Sequence, residues 1–192
     1  MSYDISLKDQ VTGETLQVEH AHFMTGGTYA VGGTQEMWLN ITYNYGHYYY
    51  EATEGDPRFA HDEPACVHAD GSYGPIETEY GIRGIYGKTG AESILMLKDM
   101  IARIESRYKK DGKWIDTERE GVMYLDPEGN EYDDFVYAIM HSLPYTKEKY
   151  KYIVNEGPNE DYWEPTAGNA IKPLYKLIAL AQMRPDGVWD GD

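Results

Sequence analysis

Apolar and polar residues alternate from the start of the chain. Tyr3-Asp4-Ile5-Ser6-Leu7 repeats at period two, and so does Leu16-Gln17-Val18-Glu19. That period is the mark of a half-buried β-strand, because successive side chains of a strand point to opposite faces. Asp9 to Gly13 supplies turn residues between the two runs, so an opening β-hairpin is expected. Trp38 to Tyr50 reads as the strongest strand. Leu39, Ile41, Tyr43 and Tyr45 fall on one face, and Asn40, Thr42 and Asn44 on the other. Shorter strands are expected at Trp114-Ile115, Val122 to Leu125, Tyr132 to Tyr137 and Tyr150 to Val154. The run Asp126 to Asn130 is expected to be a turn.

The period changes to that of a helix at about residues 91–110. Thr89 and Glu92 have the Thr-x-x-Glu spacing of a capping box. Ile94, Leu97, Ile101, Ile104 and Tyr108 then share one face, and Gly112 follows a basic last turn as a stop signal. A second helix is expected over about 166–183, burying Ala170, Leu174, Leu177, Ile178 and Ala181. Pro173 must lie in its first turn or kink it, because an interior Pro removes a backbone hydrogen bond. Arg184-Pro185-Asp186-Gly187 ends the helix, and Trp189 is expected to dock on the core. Together these elements predict an α+β fold: a mainly antiparallel sheet with the two helices packed on it, in a single domain.

Residues 51–80 lose all periodicity and read as a long ordered loop. They carry eight acids against one base, Arg58. Charge is segregated elsewhere too: residues 98–113 hold six bases and three acids, and residues 116–134 hold eight acids and one base, Arg119. The chain as a whole has a net charge of −16. That balance disfavours direct contact with nucleic acid, where Lys and Arg must neutralise phosphates, and with anionic membrane surfaces. It suits a basic protein partner, a cation or plain solubility. Tyr outnumbers Phe by 19 to 3, which suits half-wet surfaces and interfaces as well as cores. Cys66 is the single cysteine, so no intrachain disulfide can form. No apolar run approaches the roughly 20 residues of a membrane span. Met1 to Leu7 lacks the basic and apolar regions of a signal peptide, so a cytoplasmic location is expected.

Several motifs carry candidate chemistry. Gly81 to Gly90 is a Gly-rich run leading into a helix N-terminus, which can cradle phosphate with backbone N–H groups, and Arg83 and Lys88 would add charge. The spacing departs from a P-loop, because Ile82 stands where that motif needs Gly. His20, His22, His61, Cys66 and His68 are the residues a zinc site would use, but paired Cys-x-x-Cys spacing is missing. Asp126 to Tyr137 imitates a calcium loop, with Glu131 where Gly is required and Tyr137 where Glu is required. Ser93 and Ser142 lack a nucleophile elbow, and His141 is only a sequence neighbour of Ser142. No metal or cofactor is therefore expected. Tyr162, Trp163 and Glu164 at one end of the last helix, with Asp186, Trp189 and Asp190 at the other, suit partner anchoring, where Trp and Tyr carry much of the energy.

Three stretches together resemble a set of uncharacterised small proteins of bacteriophages and prophages. They are Gly26-Gly27-Thr28-Tyr29-Ala30-Val31-Gly32-Gly33-Thr34 with Leu39 to Tyr45, then Gly81 to Ser93, then Asp161-Tyr162-Trp163-Glu164 through Arg184 to Trp189. The resemblance covers about half the chain. It implies a mobile-element setting in a bacterial cell, and it makes residues of about 51–80 and 112–158 acidic insertions on a common core. It brings no activity or site residues with it. The leading expectation for function is a non-catalytic binding protein, a counter-defence inhibitor whose acidic surface engages a basic or nucleic-acid-binding host protein. The runner-up is a small-molecule or nucleotide binder using Arg83, Gly87, Lys88 and Thr89 with Gly26, Gly27, Asn40 and Asn44. A third is a hydrolase built on carboxylates and His, which requires a concave pocket gathering titratable groups.

Overall fold

A computed structural model describes residues 2–22, 33–61, 66–67, 73–74, 80–132 and 146–191. The fold is α+β, with antiparallel sheets and helices, and the chain forms two compact units. One comprises Met1–Trp114 with Gly157–Asp192, and the other is Ile115–Glu156.

The first unit is built on a three-stranded sheet. Strand β1 (Ser2–Lys8) lies in the middle. It pairs antiparallel with β4 (Trp38–Thr42) on one side and with β12 (Val188–Gly191) on the other. The period-two pattern sorts its faces: Ile5, Leu7, Leu39, Ile41 and Trp189 are buried on the inner side. Helices α2 (Gly90–Tyr108) and α3 (Ala167–Met183) complete the core. Leu97, Met100, Ile101 and Ile104 come from α2, and Leu174, Leu177, Ile178 and Ala181 from α3. The capping box at Thr89 and Glu92 forms in full, and Thr166 caps α3 by accepting from the Asn169 N–H. Pro173 lies past the first turn, buried inside α3. Trp189 docks as expected, its indole N–H donating to Ser93 Oγ at 2.7 Å.

Three expectations are corrected. The strand expected over Trp38 to Tyr50 stops at Thr42, whose hydroxyl accepts from the Asn44 N–H. A 3-10 turn over Tyr43–Tyr45 and helix α1 (Gly46–Thr53) follow. The reason lies in spacing: Tyr45, Tyr48, Tyr49 and Ala52 recur at helical intervals, and all four are buried. The opening hairpin forms only at its turn. Asp9 N–H donates to Glu14 O at 2.9 Å and Leu16 N–H to Leu7 O at 2.9 Å. The next strand, β2 (Gln17–His22), then leaves β1 and pairs with β3 (Thr34–Glu36). Residues 51–80 are not a uniform loop either, since α1 reaches Thr53 and short strands β5 (Cys66–Val67) and β6 (Tyr73–Gly74) pair with each other.

After α2, strands β7 (Lys109–Lys110) and β8 (Lys113–Trp114) form a minimal hairpin. Its turn residues Asp111 and Gly112 have φ of 51° and 76°, the positive pair that a two-residue Asp-Gly turn adopts. Gly112 thus serves a hairpin, and the helix ends four residues earlier at Tyr108.

The second unit is a ribbon. Strand β9 (Asp116–Leu125) pairs with β11 (Thr146–Asn155) along its whole length and with β10 (Glu131–Tyr132) at its far end. Asp126 makes the expected turn, its carboxylate accepting from the N–H groups of Glu128 and Asn130. Residues 133–137 of the expected return strand lie outside the described residues.

Candidate functional site

The first candidate is the Gly-rich run before α2, and its backbone donors at the helix entry, Gly87 to Ser93, are engaged. Gly87 N–H donates to Trp189 O, Lys88 to Ile85 O, Gly90 to Gly187 O and Ala91 to Pro185 O. Thr89 N–H donates to the Glu92 carboxylate, Glu92 N–H to Thr89 Oγ1, and Ser93 N–H to Thr89 O. A phosphate at a helix N-terminus needs such donors unspent. Here the run does another job: it pairs with the C-terminal strand, Thr89 bridging Val188. Gly90 is required for that approach, since a Cβ there would meet Arg184 O at 2.7 Å. Arg83 sits beside a pair of aromatic rings, Tyr3 and Tyr43, that pack edge-on with centroids 4.4 Å apart. Its guanidinium lies 5.4 Å from the Tyr3 ring centroid and 5.7 Å from that of Tyr43, and it donates to the Tyr43 hydroxyl at 2.9 Å. Gly26 and Gly27 lie outside the described residues.

The segment before α3 gathers a second group of the expected residues, held by a polar network. Tyrosines from the 3-10 turn and α1 reach across to carbonyls of this segment and of the first turn of α3: Tyr45 donates to Tyr162 O, Tyr48 to Pro165 O at 2.6 Å and Tyr49 to Ala170 O at 2.8 Å. Asn169, 1% exposed, donates to Asn159 Oδ1, Asp161 O and Glu164 O. Asn44 donates to Trp163 O at 2.9 Å, and the Glu164 carboxylate accepts from Asn159 at 2.7 Å. The Tyr162 hydroxyl accepts from the Thr42 N–H at 2.7 Å, and burial pushes its pKa up to about 12. Trp163 packs edge-on against Tyr162, with half its surface exposed. The abundance of Tyr is thereby accounted for at these positions: the ring fills the core and the hydroxyl satisfies a carbonyl.

The third group lies on the outer face of the sheet. A groove of about 440 Å³ is lined by Asp4, Ser6, Lys8, Thr15, Glu36, Trp38, Asp190 and Gly191. Strand register sets its form. Ser6 opposes Trp38 on β4 and Asp190 on β12, so an indole and a carboxylate stand on either side of a serine. One step along, Asn40 opposes Asp4 and donates to its Oδ1 at 2.6 Å and to Ser2 Oγ at 2.7 Å. Lys8 pairs with Asp190, and that hydrogen bond holds the Asp190 carboxyl below the usual carboxylate range. A second depression adjoins the first, sharing Lys8 and Asp190 and adding Asp9, Gln10 and the backbone at Gly87. The N–H groups of Thr12 and Val11 lower the Asp9 pKa as well. Both carboxylates are therefore held ionised, which suits attraction of a cation more than proton transfer near neutrality.

Expected residues are thus distributed over three places. Asn40 and Asp190 both lie on the outer face, on the strands to either side of β1. Asn44, Tyr162, Trp163 and Glu164 meet before α3. Gly87, Lys88 and Thr89 pair with the last strand, where Trp189 is 1% exposed and Asp186 is ion-paired with Arg184 at 2.8 Å. Sequence reasoning did not single out Asp4, Ser6, Lys8, Glu36 and Trp38. Alternation placed Ser6 opposite Ile5 and Leu7 in its strand, and only the pairing of β1 with β4 and with the last strand set it beside Trp38 and Asp190. Among the described residues no three His, Cys, Asp or Glu side chains gather to hold a metal ion, and no helix is long and apolar enough to cross a membrane. His68, His141 and Ser142 lie outside the described residues. Comparison with protein-family models, with curated proteins and with solved structures finds no match to this chain.

Proposed function

We propose that this chain is a non-catalytic binding protein that engages a basic protein of a bacterial host through its acidic surface. The observation that carries the reading is the groove on the outer sheet face, where Asp4, Glu36 and Asp190 stand beside Trp38 with Lys8 as the base among them. Two further features support it. The α2 entry has spent its N–H donors internally, and the two shifted carboxylates beside the groove, Asp9 and Asp190, are shifted toward the anion. The net charge of −16 draws a basic partner from a distance and raises its association rate. Carboxylates presented this way occupy positions that a nucleic-acid-binding protein keeps for phosphates. Together with the resemblance to phage proteins, that makes an inhibitor of a host defence protein, acting in the bacterial cytoplasm, the specific form of the proposal.

The test is capture of host proteins on the immobilised chain at low salt, followed by affinity measurement against salt. The expected result is a basic protein whose binding weakens steeply between low and physiological ionic strength. Capture of nothing, or of a partner whose affinity ignores salt, overturns the proposal.

A further inference from the structure

We infer that the notch between Trp38 and Asp190 takes an arginine side chain, which deepens the proposed function by naming what the partner inserts. Ser6 forms the floor and is almost fully buried, with Trp38 and Asp190 at the same level on the strands to either side. Adjacent strands lie about 4.8 Å apart, so the two walls stand roughly 10 Å apart across a small side chain. A flat group can lie in that gap beside the indole.

The charges select its sign. Asp190 and Asp4 flank the floor, Glu36 closes one side, and Lys8 is the base in the lining. Lys8 and Asn40 use part of the acceptor capacity of Asp190 and Asp4 respectively. A carboxylate offers about four lone-pair sites, so Asp190, beside its bonds from Lys8 and the Gly191 N–H, can accept a further donor. A guanidinium matches this arrangement better than an ammonium. It is planar, stacks on an aromatic face and donates two parallel hydrogen bonds to a carboxylate. A guanidinium beside aromatic rings already occurs inside this fold, where Arg83 lies within about 6 Å of the Tyr3 and Tyr43 ring centroids.

The experiment titrates the isotopically labelled full chain with N-acetyl-arginine methylamide, with the lysine equivalent and with sodium chloride at matched ionic strength. The Trp38 indole N–H and the Ser6 amide are followed by NMR. Saturable shifts are expected with the arginine probe and weaker ones with the lysine probe. Asp190→Asn, on an exposed side chain, and Trp38→Ala are each expected to weaken the arginine response roughly three- to tenfold, with partial recovery in Trp38→Phe. Glu128→Gln, in a turn of the other unit, is expected to leave it unchanged. Shifts equal to those from salt overturn the inference, as does a response that Asp190→Asn and Trp38→Ala leave untouched. The two readings fail separately. A basic host partner that binds Asp190→Asn as tightly as the unaltered chain removes the notch and leaves the proposed function. An arginine-binding notch in a chain that captures no basic protein does the reverse.

Discussion

The two compact units of this chain hold their shape by different means. In the first, helices and sheet close over an apolar core in which Ile5, Leu7, Leu39, Ile41, Leu97 and Leu174 are wholly buried. In the second, β9 and β11 form a long ribbon, and every residue of β11 except Val154 is exposed, including Tyr150, Tyr152 and Ile153. Cross-strand pairs organise the ribbon. Lys149 and Lys151 reach Glu120 and Glu118, Tyr150 covers the place where Gly121 has no side chain, and Arg119 pairs with Glu156 at 2.6 Å. The lesson is that burial and strand pairing answer different perturbations. A core collapses when an atom is removed, whereas a ribbon depends on a few well-shielded contacts and tolerates changes at most others.

That contrast can be broken most severely in the core. Trp189→Ala empties a fully buried position and releases the Ser93 hydroxyl, so a loss of about 3–5 kcal/mol is expected by urea denaturation, with the first unit unfolding as a whole. A loss below about 1 kcal/mol, with local fraying of β12 alone, would count against a single cooperative core. In the ribbon the corresponding change is Arg119→Met. It removes a guanidinium from Glu156, whose side chain is 2% exposed. A loss of about 3 kcal/mol is expected, read as faster amide exchange in β9 and β11 with protection in α2 unchanged.

A smaller effect is expected from the polar network before α3. Asn169→Ala leaves the carbonyls of Asp161 and Glu164 without that donor and should cost about 1–3 kcal/mol. Acid sharpens the same comparison. Asp56 is held well below the usual carboxylate range, chiefly by hydrogen bonds from Arg58, joined by Arg103. A lowered carboxyl pKa adds stability that is fully present above the unfolded value near 4 and is lost as pH falls toward the folded value. Stability of the first unit should therefore decline below about pH 4, and Asp56→Asn should flatten that part of the curve. The smallest change belongs to the ribbon surface: Lys151→Ala removes an exposed pair and should stay within about 0.5 kcal/mol.

Much of the fold was legible along the chain. Both long helices announced themselves by caps and spacing, since a Thr-x-x-Glu box and a repeating apolar face are local features. The strand limits at Trp38 to Tyr50 were not, because Leu39 and Ile41 alternate while Tyr45, Tyr48, Tyr49 and Ala52 follow the helical interval, and the two patterns overlap in a run rich in Tyr. Thr42 resolves the overlap by capping the turn, which no period reveals.

The candidate site divides in the same way. Alternation alone put Asn40 on the polar side of one strand, and Ser6 among the polar positions of another. The chain's acidity and its single cysteine likewise follow from composition. Tertiary structure decided that β1 lies between β4 and the last strand, which sets Ser6 between Trp38 and Asp190, a residue 184 positions away. It also decided that the Gly-rich entry to α2 spends its donors on that last strand. Strand pairing over such separations is a matter of which edges the packed core leaves adjacent, and no local preference encodes it.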